Sequence, residues 1–160
     1  MTEIEEIALL TEYLASGTRV HAGFLQSAAI AAAFLPVTAL GIDRLDPGDE
    51  TAVLGFIKRF EQFEDVLGRI LKAISKIMEH GRIERLTSRD VARRAWALGI
   101  LADEKTWSDA VRTRNALAHD YPLDPAKRAE QVNNAWNARD TLTTTWASIL
   151  EFIKVEGLLP

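Results

Sequence analysis

The sequence predicts an all-α protein, an up-down helix bundle with a helical extension at its N-terminus. Three observations carry this. Apolar residues recur at alternating steps of three and four. Helix starts and stops are marked by cap residues, prolines and glycines. No segment shows the apolar/polar alternation of a strand. With 160 residues the chain has the size of one domain, and 9 Gly and 5 Pro leave room for long helices.

Residues 1–45 read as two helices of an N-terminal extension, broken near Gly17 with Thr18 as a cap. Residues 46–156 read as the bundle proper. Asp46-Pro47-Gly48-Asp49-Glu50 is a helix start: Asp46 caps, Pro47 fits the first turn, and the acids suit the positive dipole end. Val53, Phe56, Phe60, Phe63, Leu67, Ile70, Ile74 and Ile77 then step by 3, 4, 3, 4, 3, 4 and 3, a bundle seam. Ile57, Val66, Leu71 and Met78 widen it, and Gly81 is the predicted stop. Thr87 and Asp90 have capping-box spacing for a short helix through Val91, Ala95 and Leu98 that ends at Gly99. Asp103 caps a further helix carrying Trp107, Ala110, Val111, Leu117 and Ala118. Asp124-Pro125 opens the last one, whose stripe of Val132, Ala135, Leu142, Trp146, Ile149 and Ile153 is interrupted by Arg139 and closed by Gly157. The frame is thus two long helices, about 48–80 and 125–155, with two short ones between them.

Composition narrows the function. There is no cysteine, so disulfides, thiolate zinc sites and a cysteine nucleophile are ruled out. Glu3, Glu5 and Glu6 stand where a signal peptide has its basic region, so a cytoplasmic location is expected. Phe24–Ile42 is a run of 19 uncharged residues, near the roughly 20 that span a bilayer. Its alanine content, Gln26, Thr38 and Pro36 point instead to burial in protein, with no membrane contact. The net charge of −4 is uneven, at −6 over 1–50, +4 over 51–119 and −2 over 120–160. An acidic chain is a poor general nucleic-acid binder, but its basic middle, with Arg89, Arg93 and Arg94, and with Arg112 further on, offers candidates for RNA contact. His21, His80 and His119 lie far apart and none has a partner at metal-ligand spacing, so no metal and no cofactor is expected. No phosphate-binding glycine loop or serine elbow is present.

The chemistry concentrates in Arg112-Thr113-Arg114-Asn115-Ala116-Leu117-Ala118-His119-Asp120-Tyr121-Pro122. Arg114 falls in the apolar stripe of its helix, where it must pair with an acid or face a crevice or a subunit interface. Asn115 and His119 share a face at i and i+4, with Arg112 one turn earlier. Pro122 ends the helix near His119 or Asp120, leaving the histidine at the negative helix end, which favours its cation. An arginine, an amide and a titratable histidine at one helix end can bind and cleave a phosphodiester. The plainer reading makes His119 a helix cap and Arg114 a structural ion pair.

Arg114-Asn115-x-x-x-His119-x-Tyr121 resembles the R-x(4)-H-x-Y signature of the HEPN superfamily, in particular the HepT toxins. The order of long helix, short helices, motif and long final helix is similar over about residues 50–155, as is the stretch from Asp90 through Gly99-Ile100-Leu101 and Trp107 to the motif. The resemblance implies a metal-independent endoribonuclease toxin working as a homodimer, with both motifs in one cleft at the interface. Two copies of His119 would act as base and acid on RNA, Arg114 would stabilise phosphoryl charge, and Asn115 would orient the phosphate or the histidine. It implies control by an antitoxin, a nucleotidyltransferase of the MNT type, through AMP attached to Tyr121. The alternative is a non-catalytic HEPN bundle that binds substrate for, or partners, a nucleotidyltransferase. The blandest option is a helical interaction protein whose motif is structural.

Overall fold

The computed structural model describes residues 1–79, 85–119 and 121–160. Six helices make up the fold: α1 Glu3–Ala31, α2 Ala39–Asp43, α3 Pro47–Met78, α4 Ser88–Ala97, α5 Glu104–His119 and α6 Pro125–Glu156. No strand occurs among the described residues. The all-α bundle expected from the sequence is observed, with α1, expected as an added extension, packed along α3 as a third long helix.

The predicted caps are formed. Asp46 accepts from the Asp49 N–H at 2.9 Å, and Thr87 and Asp90 close a reciprocal capping box at the start of α4. Asp124 caps α6, and Gly157 ends it at φ 62°. Gly99 follows α4 at φ 80°, a left-handed conformation that strains other residues. Gly81, the expected stop of α3, lies outside the described residues, and the helix itself runs to Met78.

The N-terminal region departs from the expected pair of helices. α1 runs unbroken through Gly17 for 29 residues. Thr18 is not a cap, because its hydroxyl donates to the Leu14 carbonyl at 3.0 Å from inside the helix. Gly17 is there for space. A Cβ on it would lie 2.6 Å from the Trp146 ring, so glycine lets α1 approach α6. The chain tolerates glycine's poor helix propensity because the long apolar contact of α1 with α3 more than offsets about 1 kcal/mol. Thr2 and Glu5 form a capping box at the start of α1.

The core lies where α1, α3 and α6 meet. Phe24 of α1 stands 5.7 Å from Phe56 and 5.1 Å from Phe63, ring centre to ring centre. Trp136 and Trp146 of α6 meet Phe56 and Phe63 edge-on at 5.5 and 6.4 Å, an arrangement that aromatic quadrupoles favour. All eight seam residues of α3 are buried. Arg139 interrupts the α6 stripe by laying its guanidinium 3.8 Å from the Trp136 ring centre and donating to the Trp136 carbonyl at 2.6 Å. The uncharged run 24–42 is not one helix: it is the end of α1, a connecting segment and most of α2. Phe24, Ala31, Leu35 and Ile42 are buried while Leu25, Ile30 and Leu40 are exposed. Asn133 of α6 holds the connection, accepting from the Val37 N–H at 2.9 Å and donating to its carbonyl at 2.7 Å. No described helix is long and apolar enough to cross a membrane.

Candidate functional site

The site is built on α5. Asp103 starts the helix by accepting from the Lys105 N–H at 2.9 Å and the Thr106 hydroxyl at 2.6 Å. Trp107 and Ala110 are buried and fix which side of α5 faces the bundle. Arg114 is on that same side. Its guanidinium enters a crevice of about 250 Å³ between α3, α4 and α5. There its Nε lies 3.4 Å from Glu64 Oε2, its Nη2 lies 3.5 Å from Asp65 Oδ1, and its Nη1 donates to Asn115 Oδ1 at 3.2 Å.

The first of the sequence's alternatives for Arg114 therefore holds, together with the second: it pairs with acids, in a crevice. The stripe that carries Arg114 packs on α3 of the same chain. Its arginine does not need a partner subunit to explain it, and the α3 seam is likewise covered from within the chain.

Glu64 and Asp65 escaped the sequence reading. A signal was there. Glu64 lies four residues after Phe60 and three before Leu67, so it interrupts the apolar face of α3 as Arg114 interrupts that of α5. Two charges set in two facing apolar stripes is the pattern of a buried pair. Glu64 is 7% exposed. Burial pushes its carboxyl up from 4.5 to about 7. The Arg114 guanidinium pulls it down and the neighbouring Asp65 adds to the rise. The pair is loose: Arg114 Nε is buried without a hydrogen bond. Asp65 is shared, accepting also from Arg69 Nε at 3.0 Å. Arg69 and Lys72 stand along the same crevice.

His119 is the last residue of α5 and is exposed. It stands five positions after Arg114, a rotation of about 140° around the helix. The guanidinium faces the crevice and the imidazole faces solvent, so one chain does not bring them together. Asn115 and Arg112 are exposed like His119, although Asn115 also borders the crevice where it accepts from Arg114, and Arg112 sits 3.4 Å from Asp109. Asp120 lies outside the described residues.

Tyr121 follows on the connection to α6 and is 42% exposed. Arg128 of α6 stands 5.7 Å from its ring centre. The same guanidinium donates to the Leu123 carbonyl at 2.8 Å and to Asp43 of α2 at 3.0 Å, which pins the connection to the bundle. Partial burial pushes the Tyr121 phenol up, Arg128 pulls it down and Glu50 raises it.

The remaining candidates divide. Arg94 is held by Glu79 at 2.6 Å, while Arg89 and Arg93 are exposed. His21 lies in the aromatic core, 5.4 Å from Phe63 and 5.8 Å from Trp146, where burial lowers its pKa. His80 lies outside the described residues. Among the described residues no group of three or more His, Cys, Asp or Glu is placed to hold a metal ion.

Residues 25–139 match the family described as nucleotidyltransferase substrate binding protein like. This is a HEPN-like helical family, in line with the resemblance carried by the α5 motif. No curated protein and no solved structure matches the chain.

Proposed function

From the premise that the chain belongs to the nucleotidyltransferase substrate-binding-protein-like family, we propose that it is the helical partner of a nucleotidyltransferase and offers Tyr121 to that enzyme. The observation that carries the reading is the position of Tyr121. It stands half-exposed on a connection that Arg128 anchors, clear of the crevice. A modifying enzyme needs such a residue, reachable yet held in place. The reaction would join the phenol oxygen to the α-phosphorus of a nucleoside triphosphate and release pyrophosphate. The phenol stays protonated at neutral pH, so the nucleotidyltransferase must supply the base that takes its proton. Arg128 is near enough to face the phosphodiester so formed.

The test is co-expression with a cognate nucleotidyltransferase. Co-purification of the two chains in a fixed ratio is the expected result. Separate elution, with no nucleotidyl group on this chain, would contradict it.

A second reading is favoured by one feature. Arg114, Asn115 and His119 keep the R-N-x-x-x-H spacing on one helix, and His119 is exposed at its end. A ribonuclease toxin could use that histidine. Because Arg114 and His119 face different ways in one chain, such a site would need a second copy of the protein. His119→Ala would then lower RNA cleavage by about 10²–10⁴-fold. Arg114→Lys would fail as well, since an ammonium does not reproduce the planar guanidinium fork. Cleavage would persist in EDTA. A folded His119→Ala variant that cuts RNA like the wild type would remove this reading.

A further inference from the structure

The α4 helix presents a surface that the α5 site does not use. Its apolar residues Val91, Ala92 and Ala95 are buried, and the helix packs on α3 and α5. On the other side Arg89, Arg93 and Trp96 are all exposed, Trp96 to 52%. Spacings of four and three stack the three side chains on one face, with about 6 Å of helical rise between the two arginines. Arg85, just ahead of the helix, is exposed too.

Among the described residues Asp90 feels Arg93 and Arg94 but its carboxylate is bonded to Thr87 in the capping box, and Glu79 is paired with Arg94. Among the described residues Arg89 and Arg93 have no ion pair. The exposure of Trp96 is a second oddity. Trp107, Trp136 and Trp146 are 2%, 8% and 5% exposed, so the bundle buries every other tryptophan it has. Trp96 stands one turn beyond Arg93, so an aromatic ring and two cations share one exposed face.

We propose that this face of α4 binds single-stranded nucleic acid, with Arg89 and Arg93 on phosphates and Trp96 stacked on a base. The three residues select this occupant together. An acidic protein surface would use the arginines and leave the indole idle. An apolar protein surface would use the indole and strand two charges. A polyanion with flat apolar faces satisfies all three, and a duplex hides those faces in its own stack. The inference does not depend on whether His119 cleaves or Tyr121 is modified.

The experiment uses the full chain with single-stranded oligo(U) RNA and oligo(dT) of equal length, and a duplex of matching length. Since Trp96 is the one exposed tryptophan among the described residues, stacking on it quenches the protein's fluorescence. Trp96→Ala should lose that quenching and bind about tenfold more weakly, with an unchanged salt dependence. Arg89→Ala and Arg93→Ala should each reduce the slope of log affinity against log salt by about 0.7, while keeping the quenching at low salt. Binding of both oligonucleotides with these signatures supports phosphate and base contacts alone. The same signatures with RNA only assign the face to ribonucleotides. The proposal is overturned if the wild type binds neither strand in a salt-dependent way, or if a triple variant of the three residues binds like the wild type. It is also overturned if the triple variant keeps the oligonucleotide but loses a nucleotidyltransferase partner, which would make α4 a protein-docking face.

Discussion

At the residue scale, the burial of Glu64 beside Arg114 contributes a pH dependence to stability. A carboxyl moved from 4.5 to about 7 on folding binds its proton more tightly in the folded chain than in the unfolded one. The folded state is therefore favoured below the unfolded value and loses this advantage as pH rises through about 7. The displacement corresponds to about 3 kcal/mol between the two extremes. Glu64→Gln removes the group that must ionise. Thermal melts should show the variant gaining on the wild type from pH 5 to pH 8. A difference that stays flat over that range would mean the carboxyl is ionised throughout, held by Arg114. Arg114 itself was legible as a misfit in its stripe, and so was its need for an acid. Which acid was not legible, because the register of α5 against α3 is set by packing between elements some 50 residues apart.

At the element scale, the long helices were legible and the junctions only partly so. The cap at Asp46, the Thr87–Asp90 box, the Asp124-Pro125 start and the glycines at 99 and 157 are local devices, and each acts where its chemistry predicts. Gly17 is the exception. Sequence chemistry reads an isolated glycine as a break, whereas here it is a contact between α1 and α6. Gly17→Val should therefore destabilise through crowding against Trp146, by about 1–3 kcal/mol, rather than stabilise α1. Denaturant melts decide this, and a variant as stable as the wild type would show that Trp146 can move aside. Thr87→Ala tests the other kind of device. Loss of the α4 cap should cost about 1 kcal/mol, with the bundle otherwise intact. An unchanged midpoint would mean that packing on α3 and α5 holds α4 without its cap.

On the scale of the whole molecule, charge and exposure separate three surfaces. The crevice holds two acids, Glu64 buried and Asp65 more exposed, and three cations, the end of α5 presents His119 and Tyr121 to solvent, and α4 carries its arginines and Trp96 outward. The helical class and the motif were both readable from one sequence. That the arginine and histidine of the motif point about 140° apart follows from their spacing; what was not readable is which of the two sides meets the bundle. That divergence makes association state informative: any RNA cleavage through Arg114 and His119 should vanish on dilution below the concentration at which sedimentation shows dimers. Cleavage by a monomer would require the two residues to meet within one chain, against the geometry.

Mass spectrometry of the peptide containing Tyr121, after co-expression with a cognate nucleotidyltransferase, tests the central claim most directly. The peptide should gain the mass of one or more nucleotidyl groups, and Tyr121→Phe should abolish the gain while the two chains still co-purify. An unmodified Tyr121 peptide, or a label that maps to Tyr13 on α1, would contradict the account.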